Sequence, residues 1–228
     1  MEQLPLGLPW RHDASFDNFV AADASLIAGL RAALNSPSTV PGVYLHGVAG
    51  SGRSHLLHAL AKEADALGQH VAVIDLAHPQ LRPEMLDGLE QCQWLCLDNL
   101  DAVTAEPEWA NALFALFNAA RDRGHRLAVS ALLPAAQLNC MLPDLRSRLA
   151  SLLVVKIPAL DDLARQRLLV QWGEQKGLRV PEDVALFLLS RYSREIAALR
   201  SALEMLDKAS LQEQRRLTIP FVKQVLAL

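Results

Sequence analysis

Gly47-Val48-Ala49-Gly50-Ser51-Gly52-Arg53-Ser54 gathers the residue types that hold a phosphate group. Glycines at 47, 50 and 52 let backbone N–H groups turn inward around phosphate oxygens, and Ser54 supplies a hydroxyl of the kind that holds Mg²⁺ at a bound nucleotide. The loop follows the apolar run Val43-Tyr44-Leu45-His46 and opens a helical pattern near His55. A strand, a glycine loop and then a helix form a phosphate cradle, because the helix start adds its unpaired N–H groups and its positive dipole end to the same anion. The pattern departs from the usual one at Arg53, where a lysine is expected. Arginine keeps the charge but is larger, planar and fork-shaped, so phosphate geometry need not be preserved. Nucleotide binding is better supported than fast hydrolysis.

A second group of residues matches the first. Trp94-Leu95-Cys96-Leu97-Asp98-Asn99 is an apolar strand ending in a carboxylate, the arrangement that places a Mg²⁺-holding aspartate beside the loop in P-loop NTPases. Asn99 stands where such ATPases usually carry a second acid to orient the attacking water, and an amide cannot take a proton. Weak self-hydrolysis is expected. Asp101, two residues further on, is expected to face solvent. His55 and His58 share one side of the first helix and lack the further ligands that a metal site needs.

These residues need a scaffold, and the patterning supplies one. Strands are expected at Val43–His46, Val71–Leu76, Trp94–Asp98, Leu127–Ser130 and Leu152–Ile157, with helices at Ser54–Leu67, near Pro83–Gln91 and at Pro107–Arg123. Short apolar strands alternating with helices imply an α/β fold: a five-stranded parallel sheet covered on both faces. From Asp161 the spacing turns helical, with Leu163/Leu168/Trp172, Val184/Phe187/Leu188, Ile196/Leu199/Leu203/Leu206 and Phe221/Val225/Leu228 as apolar faces. The chain therefore reads as an extended tail over 1–10, a nucleotide-binding domain over 11–157 and a small all-helical domain over 158–228.

Composition sets the limits. The 228 residues are 51% hydrophobic, which argues against disorder, and the net charge of −3 provides no basic field to hold a duplex. The odd number of cysteines, Cys92, Cys96 and Cys140, suggests reduced core thiols of a cytoplasmic protein. No apolar run approaches the roughly 20 residues of a membrane span, and no secretory leader is expected before Trp10.

The loop, Asp98-Asn99, the helical lid and the length together resemble the AAA+ family, and within it the branch of the bacterial replication initiator DnaA, including initiator-related regulators that switch DnaA off. Gly50-Ser51-Gly52-Arg53-Ser54-His55-Leu56-Leu57-His58, Leu142-Pro143-Asp144-Leu145-Arg146-Ser147-Arg148-Leu149 and Leu217-Thr218-Ile219-Pro220-Phe221-Val222-Lys223 carry the resemblance. It implies nucleotide contacts from Gly47, Gly50, Ser51, Gly52, Arg53, Ser54, His55, Asp98, Asn99, Ser130 and the lid residue Arg194. The ligand would be ADP or ATP, with Mg²⁺ at Ser54 and Asp98. Leu132-Leu133 stand where relatives often carry Asp-Arg. Arg148 would be an arginine finger acting in trans, with Arg146 an exposed neighbour.

The resemblance also implies that Gln3, Leu4, Leu6 and Leu8 dock on the β sliding clamp of DNA polymerase III, an extended peptide filling a hydrophobic pocket. DNA would be reached only through that clamp, since the helix-turn-helix domain of DnaA has no counterpart before Leu228. The implied function is negative regulation of replication initiation, by stimulating hydrolysis of ATP on DnaA, with self-association as a homodimer or larger assembly. The alternative is a loader-type ATPase that hydrolyses its own ATP to remodel or deliver a partner.

Overall fold

The structure is a computed structural model, and it describes residues 14–20, 24–35 and 42–228. The positions expected to bind the clamp, Gln3, Leu4, Leu6 and Leu8, lie outside the described residues. The chain divides into two compact units, one reaching Pro158 and the other running from Ala159 to Leu228.

In the first unit, five strands form one parallel sheet: β1 (Gly42–His46), β2 (Val71–Asp75), β3 (Trp94–Asp98), β4 (Arg126–Ala131) and β5 (Leu153–Lys156). Their order is β2-β3-β4-β1-β5, and every pairing is parallel. Successive side chains of a strand point to opposite faces, and β1 shows what that does to packing. Val43 and Leu45 join one buried cluster with Leu56, Leu57 and Leu60 of α2 (Arg53–Ala66) and Leu30 of α1 (Ala24–Asn35). Tyr44 joins the other with Trp109, Leu113 and Phe117 of α3 (Pro107–Asp122).

Proline at the first turn of α3 suits a helix start, where its missing N–H costs nothing. Trp109, Leu113, Leu116 and Phe117 then recur at helical spacing on the buried face, each contributing about 1.5–3 kcal/mol through burial. α4 (Pro143–Ala150) repeats the device on a smaller scale, with proline at its start and Leu145 and Leu149 buried one turn apart.

Three expectations need correction. The helix expected near Pro83–Gln91 is two 3₁₀ turns, Pro83–Leu86 and Leu89–Gln91. Gly88 between them has φ +86°, a left-handed conformation that breaks the helical path. β5 is an edge strand and is not covered on both faces; Leu153 and Val154 are exposed. In the second unit the expected inward face of α5 (Asp162–Gln175), Leu163/Leu168/Trp172, holds only in part: Trp172 packs against the core, but Leu163 is exposed, and the buried residues are Ala164, Leu169 and Gly173.

The second unit packs α5, α6 (Glu182–Arg191), α7 (Ile196–Glu213) and α8 (Ile219–Leu226) around a core of their own. Leu169, Val184, Leu188, Leu199, Leu203, Leu206 and Phe221 form it. Two helix starts are capped by side chains: Asp161 Oδ1 accepts the Ala164 N–H at 2.7 Å, and Thr218 Oγ1 accepts that of Phe221. Among the described residues no helix is long and apolar enough to cross a membrane, and no group of three potential metal ligands occurs. All three cysteines are free thiols; Cys96 is fully buried in β3, and burial pushes its thiol up.

Candidate functional site

The glycine loop leaves the C-terminal end of β1 and turns into α2 at Gly52, whose φ of +96° is left-handed. Space is as restrictive as torsion. A Cβ on Gly52 would meet the Phe19 ring at 2.5 Å, and one on Gly47 would meet the Ile157 carbonyl oxygen at 2.5 Å and Ser51 Oγ at 2.8 Å. α2 has no side-chain cap and no acidic residue in its first turn, so its first amides stay available to an anion.

Among the described residues, two buried polar atoms of the loop have no hydrogen-bond partner: Ser51 Oγ and Arg53 Nη1. Buried polar groups are nearly always paired. Unsatisfied donors within a tight glycine cradle, at an uncapped helix start, fit a phosphate.

β4 lies between β1 and β3, which brings Asp98, Asn99 and Ser130 to the same end of the sheet as the loop. Asp98 is 4% exposed and Ser130 fully buried. The Ser130 hydroxyl donates to Asp98 Oδ1, and the Asn99 N–H is 3.1 Å from both Asp98 Oδ1 and Ser130 Oγ. Asn99 is left-handed, at φ 55°, a conformation that asparagine tolerates better than most residues. Its side-chain Nδ2 donates to Asp75 Oδ1 at 2.8 Å, which fixes the amide's orientation and leaves its carbonyl oxygen on the other side. Such an oxygen can accept a hydrogen bond from water but cannot take its proton.

Asp101 does not face solvent as expected. Its Oδ1 lies 4.0 Å from Arg53 Nη1 and accepts the Leu132 N–H at 2.9 Å. The Tyr44 hydroxyl donates to the Leu133 carbonyl at 2.8 Å beside this pair. Burial first, and the Asp101 charge second, push its phenol up, so it remains protonated.

Residues 11–156 match the family model described as the bacterial DnaA ATPase domain, and residues 162–226 match the one described as the Hda lid domain. The chain belongs to the DnaA-related AAA+ family. Its fold recurs in domain III of the Thermotoga maritima replication initiation protein DnaA, at 20% identity, with 96% of this chain and 98% of that chain covered and a TM-score of 0.81. AMPPCP-bound DnaA from Aquifex aeolicus is also similar, at 17% identity, 89% and 68% coverage and a TM-score of 0.71. The Thermotoga maritima RuvB Holliday junction branch migration motor shares the fold at 13% identity, 93% and 71% coverage and a TM-score of 0.70.

Within this AAA+ fold, Arg148 occupies the last turn of α4, one turn on from the buried Leu145 and next to the buried Leu149. It is half-buried, Arg146 is exposed, and among the described residues neither guanidinium makes a hydrogen bond or an ion pair. Arg194 precedes α7 in the other unit, where its Nη2 lies 3.2 Å from Asp162 Oδ2, and it is largely exposed.

Sequence reasoning missed three residues of the site. Asp75 ends β2 as Asp98 ends β3, and the two are register partners; a second strand ending in aspartate was the available signal. Phe19 packs on Gly52, its ring centroid 5.6 Å from that of His55. Ser15 completes this corner, its carbonyl 2.9 Å from His55 Nε2, so the segment ahead of α1 closes over the start of α2. Nothing in the spacing of these residues marks that contact.

Proposed function

We propose that this chain is a negative regulator of chromosomal replication initiation that makes the initiator DnaA hydrolyse its own bound ATP. The chain holds a nucleotide, ADP in the working form, between the loop residues Gly47, Gly50, Ser51, Gly52, Arg53, Ser54 and His55 and the strand-end residues Asp98, Asn99 and Ser130. Arg194 is the lid contact, and Mg²⁺, held with the nucleotide by Ser54 and Asp98, neutralises phosphate charge. Ser51 Oγ and Arg53 Nη1, buried and without a hydrogen bond among the described residues, support a bound phosphate. So does the likeness to a DnaA whose structure holds AMPPCP.

The observation that carries the reading is a contrast within the molecule. The position from which an acid would activate water holds Asn99, its amide tied to Asp75, whereas Arg148, on a short, well-anchored helix, keeps a guanidinium that is unpaired among the described residues. A site that cannot deprotonate water retains nucleotide. An uncommitted guanidinium can serve a neighbour's site instead, donating to the charge that builds on the transferred phosphoryl group as water attacks and the bond to the leaving phosphate oxygen breaks. Such fingers raise rates by about 10³ to 10⁵.

The tail residues Gln3, Leu4, Leu6 and Leu8 bind the β sliding clamp, so the protein works where the clamp is loaded on DNA and touches DNA only through it. Self-association as a homodimer or larger assembly covers Arg148 at rest, and the protein acts in the cytoplasm.

The test is hydrolysis of ATP prebound to the cognate initiator, with clamp loaded on DNA. Wild type should stimulate it, and Arg148→Ala and Gln3→Ala/Leu6→Ala should not. Stimulation that survives Arg148→Ala would refute the finger. The intact Asp98–Ser130 pair, a feature that a hydrolysing site also needs, favours the second reading, a loader-type ATPase. Rapid turnover of free ATP by the chain alone, abolished by Asp98→Ala, would establish that reading instead.

A further inference from the structure

Arg194 is already engaged within its own unit, since its Nη2 lies 3.2 Å from Asp162 Oδ2. The other oxygen of that carboxylate, Oδ1, accepts a hydrogen bond from Arg165 Nη1 at 2.9 Å. Asp162 is also the first residue of α5, where a negative charge meets the positive end of the helix dipole. Arg165 and the helix start therefore hold this carboxylate in place whether or not Arg194 is on it. The backbone that carries Arg194 is fixed as well: the Ser193 N–H donates to the Leu188 carbonyl at 3.2 Å, and Ser193 Oγ accepts the Glu195 N–H at 3.0 Å. What remains free to move is the Arg194 side chain, which is 67% exposed.

One carboxylate thus serves two guanidinium groups, and its single charge is shared between them. An ion pair as exposed as Asp162–Arg194 shifts an equilibrium by only about twofold to fivefold. A phosphate group is the stronger acceptor, because it carries more negative charge and can take both branches of the guanidinium fork. The pair is too weak to withhold Arg194 from a phosphate, yet it must be broken before Arg194 can reach one. We propose that Asp162 is a holding site for Arg194, a carboxylate that a nucleotide phosphate has to displace, so that it lowers the nucleotide affinity of the chain and recaptures the arginine when nucleotide leaves. The inference rests on reading Arg194 as a nucleotide contact; it does not depend on Arg148 or on the clamp.

Titration of a fluorescent ADP analogue with Mg²⁺ into the full chain, in a double-mutant cycle over Asp162 and Arg194, tests it. Asp162→Asn should tighten binding by about threefold, and Arg194→Ala should weaken it by about tenfold. Asp162→Asn combined with Arg194→Ala should bind like Arg194→Ala alone, because the carboxylate then has nothing to hold. The gap between Asp162→Asn and wild type should close as salt is raised from about 0.05 to 0.5 M, since exposed charges are screened. An Asp162→Asn protein that binds no better than wild type overturns the holding site, and so does tightening that persists without Arg194. Should Asp162→Asn melt early, the same cycle with Asp162→Ser decides. Unchanged affinity in Arg194→Ala refutes the lid contact and the holding site together while leaving the glycine loop standing, and a wild type that binds no analogue refutes all three. Loss of initiator stimulation with the cycle as expected refutes the regulatory reading alone.

Discussion

Replacing Asn99 by aspartate puts a second carboxylate where Asp75 already accepts a hydrogen bond at 2.8 Å. The substitution is nearly isosteric, so packing is unchanged and electrostatics decide the outcome. Losing a hydrogen bond to a charged acceptor costs about 1.5–3 kcal/mol. Two carboxylates about 4 Å apart repel by roughly 4 kcal/mol at an effective dielectric constant near 20. Protonating one carboxyl at neutral pH costs about 4 kcal/mol, which caps that repulsion. Asp75 is partly exposed, and solvent screening brings the expected loss to about 3 kcal/mol.

Urea unfolding, read from the buried indoles of Trp94 and Trp109, should show the midpoint falling by about 1–2 M. The carboxyl pair titrates above its unfolded value, so the deficit should shrink as pH falls from 7 toward 5. The exchanged pair, Asp75→Asn with Asn99→Asp, reverses the donor and acceptor and restores the number of charges, at the loss of the Ala77 N–H bond, which Asp75 accepts with the same Oδ1. It should recover to within about 1 kcal/mol of wild type. An Asn99→Asp protein as stable as wild type, or an exchanged pair no better than the single variant, would show that the Asp75–Asn99 bond does not hold this corner together.

Other outcomes can be stated more briefly. Gly52→Ala forces a side chain into a left-handed residue and into the Phe19 ring; it should cost about 1–2 kcal/mol and weaken ADP binding by about tenfold, and undiminished ADP affinity would refute the cradle. Burial, and secondarily the Lys156 charge, lower the His46 imidazole below its usual value. The unfolded chain therefore binds that proton more readily, and stability should fall as pH drops through about 6.5, with a shallower fall in His46→Gln when urea midpoints are followed from about pH 7.5 to 5.5. Asp161→Ala removes the cap of α5 and should cost about 1 kcal/mol, with faster amide exchange at Ala164. Arg148→Ala should change the unfolding midpoint by less than about 0.5 kcal/mol equivalent, because among the described residues the guanidinium has no partner to lose.

The residues that form the sheet and the loop were legible because their signals are local. Trp94–Asp98 is a strand in both readings, since an apolar run ending in a charge needs no distant partner to be recognised. Gly88 illustrates the opposite case: the run around it looked helical, and a single left-handed residue divides it. Asp101 was expected in solvent because its partners, Arg53 and Leu132, are far from it in sequence and become neighbours only through the strand order. The same order conceals Asp75, which meets Asn99 because β2 lies beside β3. α5 was misjudged by one position, since Leu163 and Leu168 share a spacing with Trp172 that fits a helix as well as the buried set does.

The placement of β1 has a consequence for the order in which the molecule assembles. Its ladder partners come late in the chain: Gly42 aligns with Leu127 and Val43 with Leu153. Closing such long loops loses chain entropy before any contact compensates for it, so β1 docks after the local pairing of β2 with β3. The glycine loop hangs from β1, and Gly47 is walled by Ile157, just beyond β5. The cradle thus takes shape only in the final stage of folding. A nucleotide should accordingly slow unfolding and lengthen resistance to proteolysis while leaving the refolding rate almost unchanged, so the ligand acts as a latch on the finished protein and not as a template for making it.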